Sequence, residues 1–210
     1  MTNADFNGIK NVLITEGESN GRNDSDGFVT YYNIENGQIE TDRWTTRAYC
    51  PFRGRNGVKS LNDLTDEQKA VVYNAMAEKS LEIIKKQTAR DYALTISGDG
   101  SYNELPIIVD KGRLFKGKGL LTSIETSYYR YGYGHRHESV SRRAFIKTDS
   151  GDIKRANADY VKVDLNAIDL AEVARKFAFD ILREDGFNGN IVRYSTPETL
   201  GDFVAKMYKA

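Results

Sequence analysis

An Asn-Gly pair between two strand-like runs is the feature of the sequence that most constrains its fold. Residues 28–34 and 39–49 are rich in aromatic and β-branched side chains, which favour half-buried strands. The short connection between them contains Asn36 and Gly37, and Asn-Gly is the strongest short signal for a tight hairpin turn. The sequence therefore predicts an antiparallel β-hairpin at this place.

Strand-like runs recur in the second half of the chain. Residues 120–133 are enriched in Thr, Ile and Tyr, and residues 160–165 alternate in polarity. A second hairpin is predicted from residues 143–147, a turn at 149–152 and a strand that begins at Ile153. Strands thus cluster along the chain.

The first half also contains a loop and a helix. Residues 16–27 have no aliphatic or aromatic side chain, so we expect them to form a loop. Thr65 followed by Gln68 matches a capping box, and apolar residues recur at helical spacing after it. A helix is predicted from Thr65 to residue 88 or 90.

Two more helices are predicted near the C-terminus. One begins near Asp169, carries an apolar stripe and is expected to end at Gly186. The other has Thr196 as its N-cap and Pro197 in its first turn. A short strand, residues 190–194, is expected between them.

The order of these elements favours one fold class. Strands and helices form separate clusters, which is typical of α+β proteins. We therefore expect a single domain over residues 1–210, with a largely antiparallel sheet packed against about three helices. Because Cys50 is the sole cysteine, an intramolecular disulfide is impossible. No apolar run is long enough to span a bilayer and the N-terminal residues do not resemble a signal peptide, so we expect a cytoplasmic protein. We also expect no cofactor.

The net charge of zero hides two basic segments. Residues 43–61, the first basic segment, contain five basic and no acidic side chains. Residues 111–147, the second basic segment, contain nine basic and two acidic side chains. Segregated positive charge of this kind is typical of a surface that faces a polyanion.

Both basic segments also contain aromatic residues. Four tyrosines, four arginines and two histidines fall within residues 128–143. Flat rings stack on nucleic-acid bases, and guanidinium groups contact phosphates or stack themselves. The predicted binding residues are Arg43, Trp44, Arg47, Arg53 and Arg55 in the first segment, and Tyr129, Arg130, Tyr131, Tyr133, Arg136, Arg142 and Arg143 in the second.

Three functions are compatible with this pattern. The first is a non-catalytic nucleic-acid-binding protein, with a single strand as one possible ligand. The second is a protein-interaction module, such as an inhibitor or an adaptor, because Tyr, Trp and Arg are also enriched in protein interfaces. The third is a nuclease or another hydrolase that uses His135 and His137, which share one face if they lie on a strand.

Two short motifs resemble ligand loops and depart from them. Residues 112–118 match the G-x-x-x-x-G-K part of a phosphate-binding loop, but Gly119 replaces the Ser or Thr that binds magnesium. A strand is also predicted after it where such a loop needs a helix. Residues 23–27 resemble the start of a calcium loop, but Asn33 stands where a bidentate Glu is needed. We therefore predict no metal site.

Overall fold

The computed structural model describes residues 5–20, 25–44, 57–88, 96, 98–132, 137–187 and 200–210. In this part of the chain, four α-helices accompany nine strands in two mostly antiparallel sheets, which confirms the predicted α+β class. The chain divides into two compact units, Met1–Arg90 with Leu170–Pro197 and Asp91–Asp169 with Glu198–Ala210. That these units constitute a single domain stays a prediction.

The first unit contains a four-stranded sheet. Its strands are β1 (Asn11–Asn20), β2 (Ser25–Asn33), β3 (Gln38–Trp44) and β4 (Val58–Ser60), in the order β3-β2-β1-β4. β1 pairs antiparallel with β2 and parallel with β4. The sheet therefore mixes both kinds of pairing, with the parallel part restricted to a short edge strand.

The hairpin predicted from the Asn-Gly signal is confirmed as β2 and β3. Asn33 pairs with Gln38 at the turn, and the backbone N–H of Gly37 donates to the carbonyl of Asn33 at 2.9 Å. Gly37 has a φ of +69°, a conformation that suits glycine because it lacks a Cβ. The local sequence signal and the backbone geometry agree.

The loop predicted for residues 16–27 is wrong at both ends. β1 continues to Asn20 and β2 begins at Ser25, and these two residues pair with each other. Backbone hydrogen bonds hold this polar end of the hairpin, and they need no apolar side chain. Composition alone therefore does not reveal it.

The helices of the first unit pack on one another and on its sheet. α1 (Asp66–Thr88) has the predicted capping box, because Gln68 Oε1 accepts from the Thr65 N–H at 3.0 Å and Thr65 Oγ1 accepts from the Gln68 N–H at 3.3 Å. It contacts α2 (Leu170–Lys176) and α3 (Ala178–Phe187), and α3 packs on β1 and β2.

The single helix predicted from Asp169 to Gly186 is wrong in two respects. The structure has two helices, α2 and α3, interrupted at Phe177. Gly186 lies inside the last turn of α3 and is buried, so it is not the residue that ends the helix. Its role is to allow a close approach to Phe28 of β2.

The second unit contains a five-stranded antiparallel sheet. Its strands are β5 (Gly100–Val109), β6 (Gly117–Tyr131), β7 (His137–Lys147), β8 (Ile153–Asn157) and β9 (Val161–Val163). Their order is β8-β7-β6-β5-β9, so the last strand pairs with the first. The predicted strands at 120–133, 143–147, 153 onward and 160–165 are confirmed in outline.

The buried face of this sheet forms the core of the second unit. Helix α4 (Leu200–Met207) contacts β9 and contributes Leu200, Phe203 and Val204 to buried positions. The predicted cap of this helix at Thr196 and the predicted strand at 190–194 lie outside the described residues. Among the helices that are described, none is long and apolar enough to cross a membrane.

Candidate functional site

A two-stranded ribbon extends from the sheet of the second unit. The pairing of β5 with β6 stops at Gly100, which lies opposite Ile124. The pairing of β8 with β7 stops at Asn157, which lies opposite Arg143. Beyond these rows, β6 and β7 continue as a pair from Thr126 opposite Arg142 to Tyr131 opposite His137. Residues 126–131 and 137–142 are termed the arm.

The register assigns each arm residue to one of two faces. Ile124 and Ala144 are buried and lie opposite each other, so they mark the face that continues the core. Side chains alternate along a strand, and pairing is regular from Ser123 to Tyr131. The face that continues the core is termed the inner face, and it carries Thr126, Tyr128, Arg130, Val140 and Arg142. The outer face carries Ser127, Tyr129, Tyr131, Ser139 and Ser141.

Large side chains are exposed on both faces of the arm. On the outer face, Tyr129 is 49% exposed and Tyr131 is 58% exposed. On the inner face, Tyr128 and Val140 lie opposite each other and are 68% and 56% exposed. Neighbouring exposed side chains of this size make the arm a candidate interaction surface, because single exposed apolar side chains are ordinary but clusters of them are not.

The outer face continues from the arm onto β7 and β8. Arg143 lies two residues beyond Ser141 on the same face and is exposed. Next on that face, Phe145 lies opposite Arg155, whose guanidinium carbon is 5.4 Å from the centre of the Phe145 ring. Tyrosines and arginines therefore follow one another along a single face.

Acidic side chains accompany several of the arginines. Glu125 lies directly opposite Arg143 on the outer face. On the inner face, Arg142 Nη2 is 2.8 Å from Asp159 Oδ1. Asp159 comes from outside the second basic segment, so it offsets part of the positive charge that the composition of the segment predicts.

Two lysines of the second basic segment are also paired with carboxylates. Lys118 Nζ lies 2.7 Å from Oδ2 of the buried Asp164, and Lys147 Nζ lies 2.7 Å from Glu104 Oε1. Both carboxylates come from outside the segment. The excess positive charge of the second basic segment is therefore partly neutralised by carboxylates elsewhere in the second unit.

The remaining lysines of this segment lie far from the arm. Lys111 and Lys116 belong to the connection between β5 and β6, at the opposite end of β6 from Tyr131. Fifteen strand residues separate these ends by about 45 Å. The phosphate-loop-like residues 112–118 lie in this connection, and a strand follows them as predicted. The second basic segment is therefore not one continuous patch.

The first basic segment is described only in part. Arg43 lies on β3 and donates to two carbonyls in the last turn of α3, from Nη2 to Asp185 at 2.7 Å and from Nε to Gly186 at 3.3 Å. Trp44 ends β3, and its side chain is not described. Arg47, Arg53 and Arg55 lie outside the described residues.

The predicted histidine site also lies largely outside the described part of the chain. Tyr133, His135 and Arg136 are not described, and of His137 only the backbone is, opposite Tyr131. Within the described residues, no group of three or more His, Cys, Asp or Glu side chains is placed to hold a metal ion. The catalytic hypothesis stays a prediction.

A polar cluster on the sheet of the first unit has a structural explanation. Tyr31 donates its phenolic hydrogen to Glu40 Oε2 at 2.7 Å and lies 3.3 Å from Asp42 Oδ2. Burial and the hydrogen bond to Glu40 raise the pKa of Tyr31, and hydrogen bonds from Tyr31 and Asn36 lower the pKa of Glu40. The cluster joins β2 to β3.

The composition of residues 128–143 identified the tyrosines but not the faces they occupy. Sequence reasoning also missed Ser139, Ser141 and Arg155 as members of the outer face. The alternation of residues along β7 was the available signal for which residues share a face. It assigns them to the outer face only when the pairing register of β6 and β7 is known. Comparisons with protein-family models, curated proteins and solved structures give no match to the chain.

Proposed function

We propose that the protein is a non-catalytic nucleic-acid-binding protein that uses the outer face of the arm. The observation that supports this most directly is the alignment of Tyr129, Tyr131, Arg143 and Arg155 on one exposed face. Tyrosine offers a flat ring and a hydroxyl to bases, and arginine offers several N–H donors to phosphate. One face thus carries both kinds of contact.

The proposal does not depend on total charge. Arg43 and Arg142 contact groups within the fold, so we leave them out of the interface. Arg143 and Arg155 sit beside the base of the arm, where they would meet the backbone of a ligand that the arm contacts. Neutralisation of phosphates releases counterions, so binding should weaken with salt.

The experiment is a titration of labelled single-stranded and duplex DNA and RNA, followed by anisotropy at low and moderate salt. Tyr129→Ser is compared with Tyr128→Ser, which makes the same change one residue away on the inner face. Loss of a base contact by Tyr129→Ser should weaken binding by about 1–3 kcal/mol. Tyr128→Ser should leave affinity unchanged within about twofold.

The proposal is wrong if no nucleic acid binds at low salt. It is also wrong if the two variants weaken binding equally, because the two faces would then not differ. Circular dichroism and urea unfolding of both variants show whether the arm substitutions disturb the fold. A variant that unfolds early is replaced by the corresponding Tyr→Thr change, which also removes the ring but favours a strand.

One observation favours a protein-interaction module as the second candidate. Tyr128 and Val140 form an exposed cross-strand pair on the inner face, and this pair is more apolar than the Ser127–Ser141 and Tyr129–Ser139 pairs on the outer face of the arm. Such a pair fits the apolar centre of a protein interface. A protein complex that survives moderate salt and is lost in Tyr128→Ser, but not in Tyr129→Ser, would favour this candidate.

A further inference from the structure

The shape of the arm restricts the kind of nucleic acid that it can contact. Two paired strands are about 5 Å apart, and six residues extend about 20 Å. Within the described part of the chain, no third strand flanks these rows on either side. The arm is therefore a narrow two-stranded ribbon with exposed side chains on both faces.

A single strand is poorly matched to this element. Proteins that bind single strands commonly use a basic groove lined by successive aromatic rings. Here the strand alternation separates Tyr128 and Arg130 from Tyr129 and Tyr131 by directing them to opposite faces. The outer face of the arm therefore offers two tyrosine rings on an open ribbon, not a groove lined by a longer series of rings.

We infer that the ligand is double-stranded DNA and that the arm enters its major groove. This inference rests on the proposed function and names its substrate. The major groove of B-form DNA is about 12 Å wide and 8.5 Å deep, and it admits a two-stranded ribbon. The major groove of A-form RNA is too narrow and deep for side chains to read.

The side chains of the outer face suit base edges at the floor of that groove. Ser127 lies opposite Ser141, and Tyr129 lies opposite Ser139. Serine and tyrosine hydroxyls both donate and accept hydrogen bonds, so they can meet either kind of group on a base edge. The serines are also small, which lets the ribbon approach the floor of the groove.

The arginines at the base of the arm suit the rim of the groove. Arg143 and Arg155 lie on the outer face where the ribbon joins the wider sheet. An arm inserted by its outer face brings this wider part towards the phosphates on either side. The inner face, with Tyr128 and Val140, then faces away from the bases.

The first test compares ligands with the unmodified protein. We compare duplex DNA of about 25 base pairs with its separate strands and with duplex RNA of the same sequence. The duplex is longer than the roughly six base pairs that the arm spans. We expect duplex DNA to bind about tenfold more tightly than either. A duplex whose cytosines carry a glucosylated 5-hydroxymethyl group fills the major groove without altering the phosphates, and it should bind about tenfold more weakly.

The second test compares Ser139→Glu with Val140→Glu, which add the same charge at adjacent positions on opposite faces. Ser139→Glu should weaken binding of duplex DNA by about tenfold, and Val140→Glu by about threefold or less. Both variants are checked for native circular dichroism, and Ser139→Leu replaces Ser139→Glu if the latter unfolds.

The outcomes separate this inference from the proposed function. If single strands or duplex RNA bind as tightly as duplex DNA, or if the glucosyl groups have no effect, the groove inference is wrong while nucleic-acid binding stands. If no nucleic acid binds, both are wrong. Preference for unmodified duplex DNA, with a clearly larger loss of affinity in Ser139→Glu than in Val140→Glu, supports both. Equal losses in the two variants contradict the groove inference.

Discussion

A Cβ added to Gly186 would clash with two ring carbons of Phe28, because it would lie closer to them than real side chains approach. Phe28 is fully buried on β2, and Gly186 lies in the last turn of α3. The helix can therefore press against the sheet of the first unit only because residue 186 has no side chain. This contact explains a glycine inside a helix, where its conformational freedom is otherwise a cost.

Gly186→Ala should destabilise the protein by about 1–3 kcal/mol. The added methyl group overpacks the contact with Phe28, and this cost exceeds the helix propensity that alanine gains, about 1 kcal/mol. Urea unfolding measures the difference. In a double-mutant cycle, Phe28→Leu should make the alanine less costly, and strict additivity of the two changes would contradict the contact.

Arg43→Lys should reduce stability without changing nucleic-acid affinity. The guanidinium group of Arg43 donates to the carbonyls of Asp185 and Gly186 in the last turn of α3, where carbonyls lack an intrahelical partner and need another donor. Lysine keeps the charge but cannot reproduce the two-pronged contact, so we expect a loss of about 1 kcal/mol. If affinity for DNA falls instead while urea unfolding is unchanged, Arg43 belongs to the binding surface.

The local part of the fold was predictable, and the site was predictable only in composition. The hairpin around Gly37 and the cap at Thr65 depend on residues within a few positions of each other, so the sequence carries the whole signal. The partner of Arg43 is 142 residues away in the chain, and nothing near Arg43 indicates it. The assignment of residues to the two faces of the arm depends on the pairing register of β6 and β7. That register shifts between Leu121 and Ser123, and no local sequence pattern reveals the shift.

Tyr31→Phe should change the pH dependence of stability at both ends of the scale. Because the pKa of Glu40 is lowered in the folded state, its contribution to stability is fully present above its ordinary pKa of 4.5. That contribution is lost as the pH falls through the folded value. Because the pKa of Tyr31 is raised in the folded state, its contribution to stability is fully present below its ordinary pKa of 10. That contribution is lost as the pH rises from 10 through the folded value. Removal of the hydroxyl should cost about 1 kcal/mol at neutral pH and should flatten both losses.

The measurement is the free energy of unfolding in urea from pH 3 to 11, compared between the wild type and Tyr31→Phe. The difference between the two proteins removes the contribution of the other tyrosines, two of which, Tyr32 and Tyr102, also have pKa values raised by burial. Parallel pH profiles would show that the hydrogen bond to Glu40 does not contribute.

Three substitutions at the base of the arm test where its charge acts. Arg143→Gln should weaken duplex DNA binding and reduce the slope of log affinity against log salt by about 0.9, the value for one lost phosphate contact. Glu125→Gln should strengthen binding, because Glu125 lies opposite Arg143 on the outer face and repels phosphate. Arg142→Gln, which removes the same charge from the inner face and its ion pair with Asp159, should leave the slope unchanged. An equal change of slope in Arg142→Gln and Arg143→Gln would mean that DNA senses only the net charge of the arm, and the assignment of the outer face would then be wrong.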